Sequence, residues 1–360
     1  MLLVLAMAGA LWGIGALMGT PRNARWIMIG LLYVLVLAVQ VALPPQHPLR
    51  MATGESPALW LILGGFAALA LGYRTILRKL RGRVEVKEAQ AAPTSKGPFS
   101  DTELNRYARH IVLREVGGVG QKRLKDAKVL VVGAGGLGAP VLQYLAAAGV
   151  GTIGVIDDDV VENANLQRQT IHTDARIGMP KVFSAQAAME AQNPFVTVRP
   201  YHRRLTNDIA DDLMAEYDLV IDGTDNFDTR YRVNAAAVRA GIPLISGALT
   251  QWEGQVSVFD PAQNAPCYRC IFPDAPAPEL APNCAEAGVI GPLPGVVGSM
   301  MAVEAVKLIT GAGTPLRGEM VIYDALYGES RKIAIARRKD CETCGDAAPA
   351  LHLRPKEFAP

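Results

Sequence analysis

The chain has 360 residues, with 36 Lys and Arg against 34 Asp and Glu, so its formal net charge is only +2. This balance excludes the strongly basic surface on which nucleic-acid binding depends, and no nucleic-acid partner is expected. The mean hydropathy of +0.18 is high for a soluble protein. The apolar excess is concentrated in the N-terminal quarter of the sequence.

Three uncharged apolar runs, at residues 1–18, 26–43 and 58–73, predict membrane-spanning helices. Each run is near the lower end of the roughly 17 to 25 residues that cross a bilayer. None shows the polar stripe that the surface helix of a soluble domain would have. A cleaved signal peptide is the alternative for the first run, but no basic segment precedes it and no clear small-residue cleavage site follows it.

Basic residues around these runs predict the orientation of the region. Arg22 and Arg25 lie between the first two runs, whereas Arg50 alone lies between the second and the third. The third run is followed by a larger basic group: Arg74, Arg78, Lys79, Arg81, Arg83 and Lys87. Because basic residues are enriched on the cytoplasmic side of a membrane, we predict an external N-terminus and a cytoplasmic domain attached to the inner membrane.

Composition divides the chain into four parts. We predict a membrane region at 1–83, a polar linker at 84–98, a folded domain at 99–346 and a tail at 347–360. Ser100 and Glu103 have the spacing of a capping box, which predicts the start of the first helix of the domain.

Strands and helices are predicted to alternate through this domain. The predicted strands are at 129–132, 152–156, 196–199, 219–222 and 244–246, and the predicted helices are at 139–148, 181–192, 208–217 and 228–240. This alternation is typical of a doubly wound, Rossmann-like α/β sheet, in which ligands bind beyond the carboxyl ends of the strands. A later helix is predicted around 296–309, and strands are predicted within 317–338.

Glycines follow the first predicted strand at the point where a helix begins. They are Gly133, Gly135, Gly136 and Gly138. Glycines let the backbone approach a phosphate closely, and the free N–H groups of a helix N-terminus attract anions. Although a structural turn is the alternative, the strand and helix on either side favour nucleotide binding.

Charged residues further along the chain favour a triphosphate over a dinucleotide. Asp157, Asp158 and Asp159 end the second predicted strand, where an acidic residue commonly binds a ribose hydroxyl. A solvated turn is the better explanation for Asp158. Arg168 and Lys181 follow, and a triphosphate needs such cations to neutralise its β and γ groups and the leaving pyrophosphate.

Asp225 follows the fourth predicted strand and is a candidate ligand for Mg²⁺. The alternative is that the segment from Thr224 to Asn226 only caps the next helix. Both explanations can hold for different residues of the segment.

The cysteines Cys267, Cys270, Cys341 and Cys344 form two C-x-x-C pairs, the spacing of a tetrahedral zinc site. Such a metal would clip the C-terminal part of the chain onto the domain. Thiol redox chemistry at one pair is the alternative, but it leaves the other pair unexplained. No histidine has ligand or dyad spacing, and each is expected to be exposed or hydrogen-bonded: His47, His110, His172, His202 and His352.

Several motifs, occurring together and in order, resemble one known family, the MoeB/ThiF/HesA group of E1-like adenylyltransferases. The resemblance extends from about residue 101 to residue 345. The motifs are Arg106-Tyr-Ala-Arg109, Gly133-Ala-Gly-Gly-Leu-Gly138, Asn165-Leu-Gln-Arg-Gln169, Pro180-Lys181, Thr224-Asp-Asn226, Glu253-Gly-Gln255, Cys267-Tyr-Arg-Cys270, Cys284-Ala-Glu-Ala-Gly288 and Cys341-Glu-Thr-Cys344.

The resemblance implies that ATP activates the C-terminal Gly-Gly carboxylate of a small ubiquitin-like sulfur carrier. The carboxylate attacks the α-phosphate, which gives an acyl-adenylate and pyrophosphate. The implied ATP-binding positions are Gly133, Gly135, Gly136, Gly138, Asp157, Asp159, Asn165, Arg168, Lys181, Asp225 and Asn226. Of these, Asp157 would bind the ribose, Arg168 and Lys181 the phosphates, and Asp225 the Mg²⁺.

Two further residues take their predicted roles from the family alone. Arg109 would reach the ATP of the neighbouring subunit in a homodimer. Cys284 would form a covalent intermediate with the carrier, although an unreactive cysteine is an equally good prediction because sequence does not show a lowered thiol pKa.

The predicted substrate is a MoaD-like carrier that serves molybdopterin biosynthesis, with a ThiS-like carrier of thiamine biosynthesis as the alternative. No rhodanese module is expected after the second cysteine pair, so the sulfur would come from another protein. An NAD-dependent oxidoreductase would explain the glycines and Asp157 but not Arg168 or Lys181. A non-catalytic membrane scaffold would be expected to have lost a phosphate contact, and every matching position is present.

Overall fold

A computed structural model describes residues 2–54, 56–90, 97–276 and 288–346, with only the backbone described at residues 2, 71 and 78–90. The chain divides into two compact units, Met1–Thr94 and Ser95–Pro360. Cys284 and the predicted tail at 347–360 lie outside the described residues.

The described residues of the N-terminal unit form four helices: α1 (Leu2–Leu17), α2 (Arg22–Ala42), α3 (Pro48–Thr53) and α4 (Pro57–Gln90). The three apolar runs identified in the sequence lie in α1, α2 and α4. Helix α4 continues beyond its apolar part, so the first part of the predicted linker at 84–98 is helical as far as Gln90. The helical part of that segment is rich in Glu, Lys, Ala and Gln, which favour helices.

Two segments of this unit, Arg22–Ala42 and Pro57–Leu77, are long and apolar enough to cross a membrane, by length and composition. Helix α1 is a shorter apolar helix. A third segment of suitable length and composition, Pro292–Thr310, belongs to the C-terminal unit, where most of it is buried. The apolar character of this third segment therefore reflects core packing.

Polar side chains join the helices of the N-terminal unit. Gln40 is fully buried, and its Nε2 atom donates to Thr53 Oγ1 at 2.9 Å and to the carbonyl of Gly54 at 2.6 Å. The Tyr33 hydroxyl donates to the carbonyl of Trp60 at 2.6 Å. These bonds hold α2, the α3 segment and the start of α4 together within an otherwise apolar unit.

The C-terminal unit begins with α5 (Asp101–Ile111) and α6 (Gly117–Asp126). The capping box is confirmed, because the Glu103 N–H donates to Ser100 Oγ and the Ser100 N–H donates to Glu103 Oε2. Helix α5 therefore starts where the sequence predicts.

An eight-stranded sheet with the order β3-β2-β1-β4-β5-β6-β7-β8 forms the centre of this unit. Strands β1 to β5 are parallel, and β6 to β8 extend the sheet in antiparallel fashion. The strands are β1 (Lys128–Val132), β2 (Thr152–Ile156), β3 (Thr197–Tyr201), β4 (Leu219–Asp222), β5 (Leu244–Leu249), β6 (Glu253–Phe259), β7 (Glu319–Asp324) and β8 (Glu329–Ala334).

Helices cover both faces of the sheet, which confirms the predicted doubly wound α/β architecture. One apolar core packs under α7 (Gly138–Ala148), α8 (Lys181–Gln192) and α12 (Pro292–Thr310), and the other packs under α9 (Asn207–Ala215) and α10 (Phe227–Ala240). A short helix, α11 (Tyr268–Ile271), follows the sixth strand.

The predicted elements of the parallel half agree with the structure to within a few residues. Helix α9 ends at Ala215 rather than at 217, and β5 continues to Leu249 rather than ending at 246. Helix α12 begins at Pro292, before the predicted start at 296, because proline fits the first turn of a helix. Helix α6 and strand β6 were not predicted as elements.

Candidate nucleotide-binding site and metal centre

The glycine loop lies between β1 and α7, at the carboxyl edge of the parallel strands. Gly133 has φ +96°, and a Cβ there would lie 3.2 Å from the carbonyl oxygen of Gly223, in the loop after β4. A Cβ on Gly138 would collide with the carbonyl oxygen of Gly133. The tight turn therefore requires glycine at both positions, and it brings the β1 and β4 loops together.

The N–H groups that follow this turn are available to a ligand. Within the described part of the chain, the N–H groups of Gly135, Gly136 and Leu137 have no hydrogen-bond acceptor, and no side chain caps α7. The nearest atom to a Cβ on Gly135 would be Gln169 Nε2, at 3.6 Å. Unpaired N–H groups at a helix N-terminus suit a phosphate.

Asp157 connects the end of β2 to the glycine loop. Its Oδ2 atom accepts the N–H of Ala134 at 2.7 Å, and its Oδ1 atom accepts the N–H of Asp159 at 2.8 Å. Burial raises the pKa of Asp157, while the charge of Lys181 and the two N–H donors act in the opposite direction. The carboxylate that was predicted to bind a ribose thus also holds the loop in place.

Lys181, the first residue of α8, lies in the same network. Its Nζ atom is 2.7 Å from Asp159 Oδ2, and its main-chain N–H donates to the carbonyl of Asp159 at 2.9 Å. The lysine is buried, at 4% relative exposure. A buried cation at a helix N-terminus opposes the helix dipole, so the position favours an additional anionic partner.

Arg168 also lies beside the glycine loop. A Cβ on Gly136 would be 3.8 Å from Arg168 Cγ. The guanidinium donates from Nη2 to Asn165 Oδ1 at 2.8 Å, and Asn165 Nδ2 donates to Glu162 Oε2 at 3.2 Å. Asn165 therefore orients Arg168 in this structure.

The segment after β4 has separate roles for two adjacent residues. Asn226 Oδ1 accepts the N–H of Thr229 at 2.9 Å and caps α10, as the alternative explanation of this segment predicted. Asp225 is exposed and forms no hydrogen bond or ion pair within the part of the protein that the structure describes. Its carboxylate is therefore free to bind a cation.

Arg109 is not part of this group of residues. It is exposed in the last turn of α5, and within the described residues it contacts none of the nucleotide-site side chains by hydrogen bond or ion pair. Its predicted role concerns a neighbouring subunit, and that role stays a prediction.

The buried pair Asp222 and Arg230 was not predicted from the sequence. Arg230 Nη2 donates to the carbonyls of Thr224 and Gly247, and Nη1 donates to Ser246 Oγ at 3.1 Å. The Asp222 carboxylate accepts from the N–H of Thr224 at 3.0 Å. Arg230 therefore supports the segment that contains Asp225, and an arginine in the first turn of a predicted helix gives no sign of such burial.

The four paired cysteines meet at a buried cluster on another part of the C-terminal unit. Their Sγ atoms lie within 4.8 Å of one another, with separations of 3.9 Å (Cys267 to Cys270), 3.6 Å (Cys267 to Cys341) and 3.4 Å (Cys270 to Cys344). A tetrahedral Zn²⁺ with Zn–S bonds of about 2.3 Å needs sulfurs roughly 3.8 Å apart. The cluster thus fits a zinc ion.

One sulfur of the cluster, that of Cys270, has surroundings that stabilise a thiolate, whereas the pKa of the Cys267 thiol is raised by its contact with Cys270. The N–H of Arg338 points to Cys270 Sγ at 3.4 Å. Hydrogen bonds from Cys267 and Cys344 lower the pKa of the Cys270 thiol. Metal-bound sulfurs typically accept such N–H groups, so the donor set matches a structural metal site.

The sheet is doubly wound, and at its carboxyl edge lie Lys181, Arg168 and a glycine loop whose N–H groups have no acceptor in the described part of the chain. These features define a nucleotide-binding α/β protein. A family model described as the ThiF family matches residues 107–343. The chain therefore belongs to the ThiF family, which confirms the resemblance noted in the sequence.

Curated relatives and a solved structure support this assignment. The chain is 52% identical over 252 residues to a sulfur carrier protein adenylyltransferase of Thermus thermophilus, covering 69% of this chain and 93% of that protein. It is 48% identical over 247 residues to a molybdopterin-synthase adenylyltransferase of Salmonella typhimurium, covering 69% and 98%. A crystal structure of E. coli MccB with ATP matches with a TM-score of 0.58 and 25% identity, over 67% of this chain and 74% of that one.

Proposed function

We propose that the protein is an E1-like adenylyltransferase, which uses ATP to adenylylate the C-terminal carboxylate of a ubiquitin-like sulfur carrier. The strongest support is that the glycine-loop N–H groups, which have no acceptor among the described residues, and the buried Lys181 lie at the same edge of the sheet. Relatives at about half sequence identity bear the names of such enzymes.

The chemistry requires positive charge around two anions. The carrier carboxylate attacks the α-phosphorus of ATP, a P–O bond forms, and the bond to pyrophosphate breaks. Lys181, Arg168 and the glycine-loop N–H groups would stabilise the charge that develops on the phosphoryl oxygens and on the leaving group. Asp157 would bind the ribose hydroxyls.

Asp225 is the proposed Mg²⁺ ligand, because it is an exposed carboxylate in the loop that adjoins Gly133. When bound, Mg²⁺ would neutralise the β- and γ-phosphates. Asn226 is committed to capping α10, so Asp225 is the better candidate of the two.

A MoaD-like carrier is the proposed substrate, and a ThiS-like carrier is the second candidate. The name of the Salmonella relative favours the molybdopterin branch. An NAD-dependent oxidoreductase is disfavoured because it gives no role to Lys181 or to the cysteine cluster. The zinc ion is proposed to be structural, since all four ligands are cysteines and all are buried.

We further propose that α1, α2 and α4 anchor the enzyme in the inner membrane, with the C-terminal unit in the cytoplasm. The length and composition of two segments support this. A homodimer in which Arg109 reaches the neighbouring ATP, and a separate sulfur donor, complete the proposal.

Pyrophosphate exchange into ATP tests the function directly. The full chain in mild detergent, with ATP and Mg²⁺, should incorporate labelled pyrophosphate only when a carrier ending in Gly-Gly is present. A carrier without its last glycine is the matched control. Exchange with a ThiS-like but not a MoaD-like carrier would reassign the substrate, and absence of exchange with both carriers would contradict the proposal.

A further inference from the structure

His172 is a buried titratable side chain that contacts the glycine loop but is not among the proposed ATP-binding residues. It is 5% exposed. Its Nε2 atom lies 2.9 Å from the carbonyl oxygen of Ala134, and its Nδ1 atom lies 2.9 Å from Ser184 Oγ in α8. A carbonyl oxygen only accepts, so Nε2 bears the hydrogen and Nδ1 accepts from the Ser184 hydroxyl. The imidazole therefore joins the glycine loop to α8.

Both main-chain polar groups of Ala134 are held by side chains. Its N–H donates to Asp157 Oδ2 at 2.7 Å, and its carbonyl accepts from His172. The next three N–H groups, from Gly135 to Leu137, have no acceptor within the described residues. Because peptide units are planar, fixing both groups of Ala134 limits the directions in which the following N–H groups point.

Ser184 extends the network to the helix that begins with Lys181. Ser184 is fully buried, one turn after Lys181, and its carbonyl accepts from Arg176 Nη1 at 2.8 Å. Asp159 makes a second connection, because it receives the Lys181 ammonium and donates its N–H to Asp157. The glycine loop and Lys181 are thus tied together along two routes.

We propose that His172 is a positioning residue for adenylyl transfer, whose two hydrogen bonds hold the glycine loop at a fixed separation from Lys181. The inference rests on the proposed function of this site. His172 acts through Ala134 and Ser184 rather than on the nucleotide. Donors stabilise a transition state best when they are fixed before the reaction, so loss of this support lowers the rate as well as the affinity.

The neutral imidazole is the form that this role requires, since it has one donor and one acceptor. Burial lowers the pKa of His172, which favours that form.

The test compares four variants of the full chain in detergent. His172→Phe keeps a ring but removes both hydrogen bonds, and His172→Gln restores one donor and one acceptor. Ser184→Ala removes only the bond at Nδ1. Tyr217→Phe is the matched control, because the fully buried Tyr217 hydroxyl is 2.9 Å from that of Tyr201, under the opposite face of the sheet.

The readouts are pyrophosphate-exchange kinetics with the carrier and hydrogen–deuterium exchange of the peptide that contains the glycine loop. For His172→Phe we expect kcat to fall about tenfold, KM for ATP to rise about fivefold, and the Ala134 amide to exchange faster. His172→Gln should recover to within about threefold of wild type, and Ser184→Ala should lose about threefold.

Kinetics and loop exchange in His172→Phe that equal those of Tyr217→Phe would overturn the inference. If His172→Phe does not fold, normal kinetics and normal loop exchange in Ser184→Ala would overturn it instead. Failure of the proposed function looks different, because the wild-type chain would then show no carrier-dependent exchange.

Discussion

The Nζ atom of Lys181 lies 2.7 Å from Oδ2 of Asp159, although the lysine side chain is 5% exposed and the aspartate side chain is 65% exposed. A buried ammonium group is thus paired with a carboxylate that mostly faces solvent. Lys181 also begins α8, where the helix dipole disfavours a cation. A buried lysine at this position is not expected to stabilise the fold. Binding of an anionic ligand by its ammonium group explains the position better.

Lys181→Met is expected to lower carrier-dependent pyrophosphate exchange about 10²- to 10³-fold, because a fixed charge near the transferring phosphoryl group is lost. Initial rates at saturating ATP and carrier measure the effect. Lys122→Met is the control, because Lys122 also pairs with an aspartate, Asp126 at 2.5 Å, but on an exposed helix surface. A Lys181→Met rate close to that of the control would refute the assignment.

Cys270→Ser is expected to remove the bound zinc and to destabilise the C-terminal unit by about 4 kcal/mol, because a buried tetrad loses one ligand. Metal content after gel filtration and the unfolding midpoint are the measurements. Cys284→Ser should leave one zinc per chain, since Cys284 belongs to neither C-x-x-C pair. Full zinc occupancy in Cys270→Ser would exclude the four-cysteine site.

Arg230→Met is expected to cost about 3 to 5 kcal/mol, because it leaves a buried carboxylate without its cation. Asp222 is 1% exposed, its Oδ2 atom is 3.7 Å from Arg230 Nη1, and this oxygen has no hydrogen-bond partner among the described residues. Urea denaturation followed by circular dichroism measures the change.

The double variant Asp222→Asn with Arg230→Met is the check on this explanation. Removing the carboxylate charge should recover more than about half of the lost stability, if the uncompensated charge is the cause. Additive losses from the two substitutions would show instead that packing or the bonds to Thr224 and Gly247 dominate.

Acidic pH is expected to destabilise the C-terminal unit through His172. Burial lowers the pKa of His172 in the folded chain below its unfolded value of about 6.5. As pH falls below about 6.5, the unfolded chain gains a proton that folded His172 does not, so stability declines until the lowered pKa is reached. The unfolding midpoint of His172→Phe should therefore decline less between neutral and acidic pH than that of wild type. An equal decline in both proteins would show that His172 is not the cause.

The parallel half of the sheet was predictable because its strands are short apolar runs between turn residues. Strands β2 and β4 and helix α8 have the predicted bounds, and the glycine loop is at its predicted place. Strand β6 was missed, since it follows β5 after only three residues, without the intervening helix that separates the parallel strands. Helix α4 extends beyond its apolar part because charged helix formers follow directly.

Sequence patterns identified the charged residues that follow strands. They did not identify the buried polar side chains that hold the site in place. Asp157 follows a strand and Lys181 follows a turn, and ligand contacts are expected at both kinds of position in this fold. His172, Asp222 and Arg230 become informative only when burial and partners are known, because their sequence neighbours give no periodic signal. An exposed or a hydrogen-bonded histidine was expected at 172; the side chain is buried and hydrogen-bonded, and its contact with the glycine loop was not predicted.

Removal of residues 2–94 tests the membrane proposal and separates it from catalysis. Segments Arg22–Ala42 and Pro57–Leu77 are each 21 residues long, which matches the roughly 20 apolar residues that a bilayer requires. The full chain should stay in the membrane fraction after washing at alkaline pH, and the shortened chain should appear in the soluble fraction.

Because the nucleotide-site residues all belong to Ser95–Pro360, the shortened chain should retain pyrophosphate exchange within about threefold. Replacing Leu31 and Leu35, two exposed apolar residues of α2, with Lys in the full chain is the matched control for deletion effects. Release of the full wild-type chain by the alkaline wash would refute the anchor, whereas loss of exchange in a soluble, folded shortened chain would show that the N-terminal unit contributes to catalysis.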